Sequence, residues 1–365
     1  MLNFLNLQPE IFGIDVNDSS LKIVKLKKKH KGFVVVSVSE VDVNPGIIKE
    51  GVIQKEAELI EIIKKALASV KGKKLGTKYA VISLPEEKSF SQIIQMPRMT
   101  DAELRTAVPF EAENYIPLAI DKVYLDFQVI GDSKSIPNHM DLLINVMPKA
   151  IVDAYVSCFK KAGIKPYILE IESQAIARAL IKANTQPSPL LIVDLGSANT
   201  SFIIFSGNSI RFTSSLPISS NQLTAVIADT LHISFAKAEE LKIKKGLETK
   251  KGDKMPSITG AMDPILSDLA EQIKKYLVFY KDHVSSEHAS LDGNIKKIML
   301  CGGGANLKEL PDFLSKKLRI AVEVGNPLTN VWVNKKANKN AISGPKAASF
   351  ATAVGLALRG ASEHV

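Results

Sequence analysis

The chain has 365 residues, of which 45% are hydrophobic and 23% are charged. This composition predicts a globular protein with a sizeable core, and the length suits two lobes better than one simple core. No apolar run approaches the ~20 residues that a helix needs to cross a bilayer, and residues 1–7 lack the basic region of a signal peptide. Two cysteines, Cys158 and Cys301, exclude a disulfide framework and a cysteine-based metal cluster. We therefore expect a cytoplasmic protein.

The formal net charge is +9, and lysines cluster at 25–31, 71–74, 242–245 and 335–336. We favour the interpretation that these clusters are solvated loop tips and helix ends. A second interpretation is attraction to the anionic inner face of a membrane, where each basic residue contributes ~1 kcal/mol. Nucleic acid is the least favoured partner, because aromatic residues make up only 6% of the chain and none is interleaved with the lysines as a base-stacking surface requires.

The first part of the chain predicts a three-stranded meander, a helix and a fourth strand. Apolar residues run continuously or alternate in the strands, and they form one stripe along the helix at about 55–70. Pro85 ends the fourth strand. The predicted strands lie at about 11–16, 20–29, 33–43 and 78–84.

Residues 86–164 interrupt this plan and predict a small α+β unit with its own core. A capping box places the start of a helix at Asp101, and Pro109 should kink or split this helix before Tyr115. The sequence carries no paired carboxylates and no His/Cys constellation in this segment, so we interpret it as a recognition module. The other predicted elements are strands at 89–96, 123–130 and 141–147 and a helix at 149–162.

The second half of the chain repeats the first plan. The polar, proline-containing segment 184–189 predicts a rigid linker before the repeat. A last helix at 347–359 is rich in small residues, so we expect it to pack closely on a neighbouring element. The predicted elements are a strand at 167–171, a helix at 172–183, strands at 190–196, 200–206 and 209–215, a helix at 221–232, a helical insertion at 234–293 broken by a loop at 244–257, a strand at 296–301, a helix at 306–318 and a strand at 320–324.

Two strand–aspartate–turn–strand segments stand in corresponding places of the two halves. In the first loop (residues 15–22) Asp15 ends a strand, and in the second loop (residues 194–200) Asp194 is followed by Gly196. Exposed amides in such turns form an anion-binding nest, and an aspartate at its mouth can hold a hydrated cation. The alternative for the second loop is an ordinary hairpin, in which the aspartate and the glycine only serve the turn.

A third segment joins a strand to a helix through three glycines. In this glycine loop (residues 301–307) the predicted helix starts at Asn306. Free amides and the helix dipole at such a junction suit the phosphate or sugar of a nucleotide.

The three loops resemble the first phosphate loop, the second phosphate loop and the adenosine loop of the actin/Hsp70/sugar-kinase superfamily. Segments 111–117 and 121–126 further resemble the pattern around the inserted subdomain of the PilM family, which are actin-like, FtsA-related cytoplasmic proteins of type IV pilus assembly. The resemblance runs from about Phe12 to Leu358. It implies an α/β, actin-like two-lobed ATPase fold with duplicated βββαβ lobes and an inserted α+β subdomain, as in FtsA and PilM.

The resemblance also implies the domain boundaries. In the superfamily, a helix in the position of 347–359 is a hinge that crosses between the lobes. The implied domains are a first-lobe core (1A) at 1–85, 165–186 and 345–365, an inserted partner-binding subdomain (1C) at 86–164, a second-lobe core (2A) at 187–233 and 294–344, and a helical insertion of the second lobe (2B) at 234–293.

By the same resemblance the chain binds ATP and Mg2+ between its lobes. Asp15 and Asp194 would position the Mg2+ through waters, and Lys22 would reach the phosphates. Glu239 and Lys242 would contact the ribose and the base. The alternative interpretation is that they form only an exposed i,i+3 ion pair. The implied nucleotide-binding residues are Asn17, Asp18, Ser19, Ser20, Lys22, Gly196, Ser197, Ala198, Asn199, Thr200, Glu239, Lys242, Gly302, Gly303, Gly304 and Asn306.

Two residues of the first loop depart from the family pattern. Asn17 and Asp18 stand where the family usually has Gly and then Ser. Asn tolerates left-handed backbone, so the turn can survive, but a carboxylate at Asp18 repels phosphates unless it reaches the metal. No residue stands out as a general base. Glu172 and Gln174 are weak catalytic candidates; the alternative is that they only cap the helix or face solvent. We therefore expect ATP binding with weak or no hydrolysis.

The implied partner is a PilN-like membrane protein, whose N-terminal cytoplasmic peptide would bind a groove formed by the inserted subdomain with the first lobe. Ile93, Ile94 and Met96 are the candidate contacts, and the alternative is that they pack only on the helix that begins at Asp101. Pilus motor ATPases, further copies of the chain and the inner face of the cytoplasmic membrane are additional partners that we consider. We expect no nucleic-acid partner.

Three functional classes are consistent with these features. The first is a nucleotide-binding scaffold of the type IV pilus inner-membrane platform. The second is an FtsA-like polymerising division protein, which we disfavour because residues 362–365 carry no amphipathic membrane helix. The third is a small-molecule kinase, for which the sequence offers neither an acceptor-binding lobe nor a catalytic aspartate beside it.

Overall fold

The computed structural model describes residues 9–30, 32–133, 136–185, 188–248, 258–284, 294–332, 342 and 344–362. The chain divides into two compact units, a first unit of residues 1–88, 149–183 and 326–365 and a second unit of residues 89–148 and 184–325. The predictions made for residues 1–7, Lys31, 335–336, 363–365 and most of the loop 244–257 lie outside the described residues.

The described elements follow the predicted order closely. The strands are β1 (Phe12–Val16), β2 (Ser20–Lys29), β3 (Gly32–Asp42), β4 (Ile48–Lys49), β5 (Val52–Ile53), β6 (Lys71–Gly72), β7 (Tyr79–Leu84), β8 (Phe90–Pro97), β9 (Val123–Asp132), β10 (His139–Pro148), β11 (Lys165–Ile171), β12 (Leu190–Leu195), β13 (Thr200–Ser206), β14 (Ser209–Leu216), β15 (Lys297–Cys301) and β16 (Ala321–Val324). The α-helices are α1 (Glu56–Ala68), α2 (Asp101–Ala112), α3 (Lys149–Lys161), α4 (Glu172–Leu180), α5 (Ser220–Leu231), α6 (Phe235–Lys245), α7 (Ile258–Phe279), α8 (Leu310–Leu318) and α9 (Ala351–Ser362).

The two large sheets have the same topology. The first unit contains the order β11-β7-β1-β2-β3-β6, and the second unit contains β14-β13-β12-β15-β16. In the first sheet β1 is antiparallel to β2 and parallel to β7; in the second, β12 is antiparallel to β13 and parallel to β15. Each central strand is buried on both faces, which explains its continuous apolar sequence. The duplicated βββαβ plan predicted from the sequence is confirmed.

The small-residue helix α9 packs on the first unit at backbone distance. A Cβ added at Gly13 of β1 would lie 2.6 Å from the Ala357 nitrogen, and one added at Gly355 would overlap the Ala175 carbonyl of α4. The glycines and alanines of α9 therefore permit contact with both β1 and α4, as the sequence predicted. A hinge function for this helix stays a prediction.

In the inserted segment, α2 covers one face of a three-stranded sheet with the order β8-β10-β9. The predicted capping box is present: the Thr100 hydroxyl accepts from the Glu103 amide at 3.4 Å, and the Glu103 carboxylate accepts from the Thr100 amide at 2.8 Å. The predicted split at Pro109 is wrong, because α2 continues to Ala112; a kink at this residue stays a prediction. Pro109 lies in the last turn, and the burial of Val108 and Ala112 against the sheet holds that turn together.

Helix α3 packs on the first unit and not on the three-stranded sheet. Ser157 and Lys161 of α3 donate to the Glu56 carboxylate at the start of α1, at 3.2 Å and 2.9 Å, and the Tyr155 hydroxyl donates to the Gly51 carbonyl at 3.0 Å. Residues 89–148 are thus the part of the insertion that lies outside the first unit. The predicted domain boundaries stay predictions.

The predicted helix start at Asn306 is wrong. Residues 304–306 form one 3-10 turn, Leu307 is extended, and Glu309 is left-handed with a φ of 64°. The helix α8 begins only at Leu310, because Pro311 suits the first turn of a helix and lacks the amide that an interior position requires. Among the helices in the described ranges, none has both the length and the apolar content needed to cross a membrane.

Candidate functional site

The first loop begins with a buried carboxylate. Asp15 is paired with Lys22 across the β1–β2 ladder, and both side chains are buried. The Ser83 hydroxyl at the end of β7 donates to Asp15 at 3.3 Å and accepts from the Val16 amide at 3.0 Å. Burial raises the pKa of the Asp15 carboxyl above its ordinary value, and the charge of Lys22 opposes this shift. Ser83 was not predicted, although its place at the end of a parallel strand beside β1 is a usable signal.

Asn17 holds the turn of the first loop together. Its amide donates to the Ser20 carbonyl at 3.0 Å. Its side-chain oxygen accepts from the Ser19 amide and hydroxyl at 3.1 Å and 3.2 Å and from the Ser20 amide and hydroxyl at 3.0 Å and 3.3 Å. The Lys22 ammonium donates to the Ser20 hydroxyl at 2.7 Å. The turn survives without a glycine, as predicted, but the Asn17 side chain holds it and Asn17 does not adopt the left-handed backbone that the prediction invoked.

Asp18 has a structural partner. Its carboxylate accepts from the Glu50 amide at 2.7 Å and from the Gly51 amide at 3.1 Å. Both of those residues have positive φ, so Asp18 pins a tight left-handed turn between β4 and β5. The Tyr155 hydroxyl lies beside the same turn, and burial together with Glu172, Glu87, Asp18 and Asp15 raises its pKa well above the ordinary value. Nothing in the sequence pattern signalled this tyrosine.

The two catalytic candidates lie at the start of α4. The Glu172 carboxylate accepts from the Glu86 amide at 3.3 Å, and the Glu86 carboxylate accepts from the Ser173 amide at 3.0 Å. Each glutamate thereby caps the backbone of the other segment, which joins the end of β7 to the start of α4. Gln174 is half-buried on the same helix. A catalytic role for Glu172 or Gln174 stays a prediction.

The second loop is pinned to the start of α5. The Gly196 amide donates to the Asn199 carbonyl at 2.9 Å, which closes the turn, and the Ser220 amide donates to the Gly196 carbonyl at 2.9 Å. The Asn221 amide donates to the Ser197 carbonyl at 3.2 Å. Thr200 is fully buried and donates its hydroxyl to the Ile218 carbonyl at 2.6 Å. Of the side chains predicted here, that of Thr200 therefore serves the fold.

The glycine loop lies against the second loop. Asp194 pairs with Cys301 in the parallel β12–β15 ladder, and the Cys301 thiol donates to the Asp194 carboxylate at 3.6 Å. A Cβ added at Gly302 would overlap that carboxylate, and one added at Gly304 would lie 2.6 Å from the Leu195 side chain. Gly303 differs: among the described residues, no atom lies within 4 Å of its added Cβ. Gly302 and Gly304 thus allow close packing, and Gly303 borders open space.

Helix α6 carries an ion pair in which the lysine is buried and the glutamate is partly exposed. The Lys242 ammonium lies 2.7 Å from the Glu239 carboxylate, and it donates to the Ser220 carbonyl at 2.9 Å and to the Thr224 hydroxyl at 2.6 Å. Burial lowers the pKa of Lys242, and Glu239 opposes the shift. The i,i+3 pair exists, but Lys242 is buried and not a solvated surface residue. Ser220 and Thr224, which the sequence analysis missed, anchor this pair to α5.

Three predicted elements therefore meet within the second unit. Ser220 contacts both Gly196 of the second loop and Lys242 of α6, through the hydrogen bonds above. The end of α6 reaches the residue after the glycine loop, since the Leu247 amide donates to the Lys308 carbonyl at 3.1 Å and the Lys308 ammonium donates to the Lys244 carbonyl at 2.6 Å. Asn306 donates to the Gly303 carbonyl at 3.1 Å. The second loop with its partly exposed Asp194, and the glycine loop with the unobstructed Gly303, are therefore neighbours in the second unit.

Within the described residues, no group of three or more His, Cys, Asp or Glu side chains could hold a metal ion by itself. Asp15 and Asp194 lie near the ends of their strands, where the Ser83 hydroxyl donates to Asp15 and the Cys301 thiol donates to Asp194. Gly303 is exposed and has open space beside it.

The candidate partner contacts are only partly accessible. Ile94 and Met96 are buried in the core between the three-stranded sheet and α2, so the structure removes both from the candidate surface. Their period-two spacing placed them on the same face of β8, and α2 covers that face. Ile93 is half-buried on the opposite face. The large exposed apolar side chains among the described residues of the segment are elsewhere, at Phe110, Tyr115, Leu118, Tyr124, Val129 and Ile136.

Comparison with known proteins places these features in a family. A family model described as type IV pilus assembly protein PilM matches residues 13–361. The chain is similar to a solved PilM-PilN type IV pilus biogenesis complex, with a TM-score of 0.81 and 25% identity over 96% of this chain and 98% of that one. MreB5 of Spiroplasma citri bound to ADP has a TM-score of 0.56 and 12% identity over 98% of each chain, which shows the fold alone. The predicted actin-like fold is confirmed.

Cell division protein FtsA is a more distant relative. The FtsA of Enterococcus hirae is 22% identical over 345 residues, which cover 86% of this chain and 78% of that protein. The FtsA of Helicobacter pylori (strain ATCC 700392 / 26695) is 34% identical over 98 residues, and the match spans only 20% of its length.

Proposed function

Because the chain belongs to the PilM family of type IV pilus assembly proteins, we propose that it is a nucleotide-binding scaffold of the inner-membrane assembly platform. The observation that carries the nucleotide assignment is the meeting of the second loop, α6 and the glycine loop around the open space at Gly303. In this proposal Glu239 and Lys242 lie at the ribose and base, and the amides near Gly196 bind phosphate.

A divalent cation accompanies the phosphates. Asp194 of the second loop would hold hydrated Mg2+, which neutralises phosphate charge when bound, and Asp15 is the corresponding carboxylate of the first loop. Lys22 adds a fixed positive charge at the first loop, where its ammonium is already oriented by Ser20. The hydrogen bond from the Ser220 amide of α5 to the Gly196 carbonyl fixes the second loop and thereby positions Asp194.

Calorimetric titration of Mg-ATP tests this assignment. We expect the wild type to bind and the Asp194→Asn variant to lose a few kcal/mol of binding free energy, because the isosteric amide removes the charge that holds the cation. Asp229→Asn is the matched control, since Asp229 is an exposed carboxylate at the other end of α5. Equal heats from the wild type and Asp194→Asn, or no heat from the wild type, contradict the proposal.

We further propose that turnover of ATP is far below the usual enzyme median of ~10 per second. The support is that Glu172, the carboxylate implied as a base, already accepts from the Glu86 amide. A phosphate-release assay with Mg2+ should give near-background rates in wild type. Robust hydrolysis that disappears in Glu172→Gln would overturn this expectation and identify the base.

The scaffold role requires a membrane-bound partner. We propose that residues 89–148 bind the N-terminal cytoplasmic peptide of a PilN-like membrane protein, and that this places the chain in the cytoplasm at the inner face of the membrane. The support is the exposure of large apolar side chains at and after the end of α2, with Phe110 at 72% and Tyr124 at 48%. Exposed aromatic residues are common anchors of peptide binding. Motor ATPases and self-association are further proposals that no single contact here favours.

Binding of the partner peptide is best tested with surface variants. We expect Phe110→Ala and Tyr115→Ala to weaken peptide binding without changing Mg-ATP binding, because both side chains are exposed. Val278→Ala, which shortens an apolar side chain that is 57% exposed on α7, is the matched control. A variant lacking residues 89–148 should lose the peptide entirely; peptide binding that survives this deletion refutes the assignment. Helix α3 is kept because it packs on α1.

A further inference from the structure

One end of the first sheet carries lysines on neighbouring strands. Strands β1, β7 and β11 are parallel and β2 is antiparallel to β1, so β2 ends where the other three begin. The exposed lysines at 27–29 lie at the end of β2, and the exposed Lys78 and Lys165 lie at the starts of β7 and β11. The Lys165 amide donates to the Lys78 carbonyl at 2.8 Å, which fixes these two residues side by side.

The lysine cluster at 71–74 returns to the same end of the sheet. Strand β6 is antiparallel to β3, and the Lys73 amide donates to the Val36 carbonyl at 2.9 Å, so the chain after β6 runs back toward the start of β3 and the end of β2. The buried Lys25 marks this path, because its ammonium donates to the Leu75 carbonyl. Two clusters that are far apart in the sequence thus form one surface, the lysine rim, which consists of residues 27–29, 73, 74, 78 and 165.

Positive charge dominates the lysine rim among the described residues. Glu10 is an acidic residue at this end, and its carboxylate accepts from Lys25 and lies 3.5 Å from the Lys27 ammonium. It therefore offsets only a small part of the charge. Because neighbouring strands lie ~4.8 Å apart, the six strands of this sheet spread the charges over about 24 Å. Asp15 lies near the other end of β1, so the rim is separate from the first loop.

Aromatic side chains lie at the two sides of the lysine rim. On one side Tyr79 packs edge-to-face on the exposed Tyr167, with 6.1 Å between the ring centroids. On the other side the Trp332 amide donates to the Phe33 carbonyl at 2.7 Å, which holds this half-buried tryptophan beside the β2–β3 hairpin. Tyr and Trp favour a membrane–water boundary because each ring is apolar with one polar group. Stacking of nucleic-acid bases needs rings that are interleaved with the charges, whereas these rings flank the charges.

We propose that the lysine rim binds the anionic headgroups of a lipid bilayer directly. Its charge complements the anionic inner leaflet, where each lysine near the surface strengthens binding about fivefold. Lysine carries a compact charge on a flexible stem, which suits a diffuse plane of phosphates better than one fixed phosphate. The contact requires neither the nucleotide nor the partner peptide, and it directs this end of the first unit toward the membrane.

Flotation of the full chain with lipid vesicles, without nucleotide or peptide, tests the proposal. We expect binding to vesicles of phosphatidylcholine mixed equally with phosphatidylglycerol, no binding to phosphatidylcholine alone, and release by added salt. Lys28→Gln combined with Lys74→Gln should lower partitioning about 25-fold, and Lys28→Arg combined with Lys74→Arg should preserve it. The matched control is Lys275→Gln combined with Lys316→Gln, which removes two exposed positive charges from the second unit and should change partitioning less than about twofold.

Thermal melting of each variant checks that the fold persists, and Lys29→Gln combined with Lys78→Gln repeats the test at two other positions of the lysine rim. Equal losses in the rim and control variants would mean that only the net charge acts, and would overturn the proposal. Absence of wild-type flotation overturns it too, as does tighter binding to a labelled single-stranded RNA oligonucleotide in the same buffer, which would identify a nucleic-acid partner. The nucleotide and peptide proposals survive each of these outcomes, because both are measured without lipid.

Discussion

The adjacent glycines 302 and 303 should respond to the same substitution in opposite ways. Gly302 has a φ of +80°, and an added Cβ would overlap the Asp194 carboxylate and lie 2.6 Å from the Leu195 carbonyl. Gly303 has helical backbone, with φ −64° and ψ −39°, and no described atom within 4 Å of its added Cβ. A methyl group added at Gly302 therefore overlaps neighbouring atoms, whereas one added at Gly303 enters open space.

The magnitudes follow from these two environments. Ala at Gly302 costs ~1–2 kcal/mol for the left-handed backbone and ~1–3 kcal/mol for the overlap with Asp194 and Leu195, so we expect a loss of about 2–5 kcal/mol in the free energy of unfolding. Ala at Gly303 meets no strain and restricts the unfolded chain, which should leave stability unchanged or raise it by ~0.4–1 kcal/mol. Neighbouring positions should thus differ by at least about 2 kcal/mol.

Urea unfolding followed by circular dichroism measures the stability difference, with the transition midpoints of Gly302→Ala and Gly303→Ala compared with wild type. Ligand binding supplies the second measurement. In Gly303→Ala the methyl group occupies the space assigned to the adenine ring, so affinity for Mg-ATP should fall about tenfold or more, while affinity for Mg-pyrophosphate stays the same. A stable Gly302→Ala protein, or equal losses for both ligands in Gly303→Ala, would refute the assignment of the two glycines.

Three further predictions concern the packing and the charges around the loops. Gly355→Ala should lower the unfolding free energy by about 2 kcal/mol, since overlap with the Ala175 carbonyl outweighs the ~1 kcal/mol gained in helix propensity; Gly360→Ala, which meets only side-chain atoms, should cost less in the same urea experiment. Asp18→Ala should cost about 1–2 kcal/mol in thermal unfolding, because two amides of the turn between β4 and β5 lose their acceptor. Burial lowers the pKa of Lys242, so the unfolded chain binds more protons there and this residue's contribution to stability rises as pH increases through the lowered pKa. Lys242→Met should lose that gain when urea midpoints are compared between about pH 8 and pH 10.

The sequence predicts the sheets of this protein well because their signals are local. The buried strands β1 and β12 are continuous apolar runs ended by Asp15 and Asp194, and the repetition of that pattern is enough to predict a duplicated fold. The capping box at Thr100 is equally local and was correctly placed. An element can be predicted in this way when the strand, turn or cap that determines it lies within ten residues of it in the sequence.

Predictions failed where a distant contact decides the outcome. The packing of α2 on the sheet holds its last turn despite Pro109 and buries Ile94 and Met96, and neither effect is visible in the local pattern of β8 or α2. The start of α8 at Leu310 is a different kind of failure, because it depends on two local features, Pro311 in the first turn and the left-handed backbone of Glu309. Spacing predicts the face of a strand on which a residue lies, but not what covers that face.

The first loop shows the same limit in its chemistry, and here it changes the argument about hydrolysis. Asp18 was expected to repel phosphates, but its carboxylate is held by the Glu50 and Gly51 amides, so it stabilises the turn that supports Tyr155. Repulsion by Asp18 is therefore a weak reason for slow turnover. The stronger reason is that Glu172 already caps the Glu86 backbone. A carboxylate that accepts from an amide favours its ionised form but is fixed in direction. Activation of water through Oε2 would compete with the Glu86 amide for that oxygen, and displacement of the amide would remove one of the two reciprocal caps between β7 and α4.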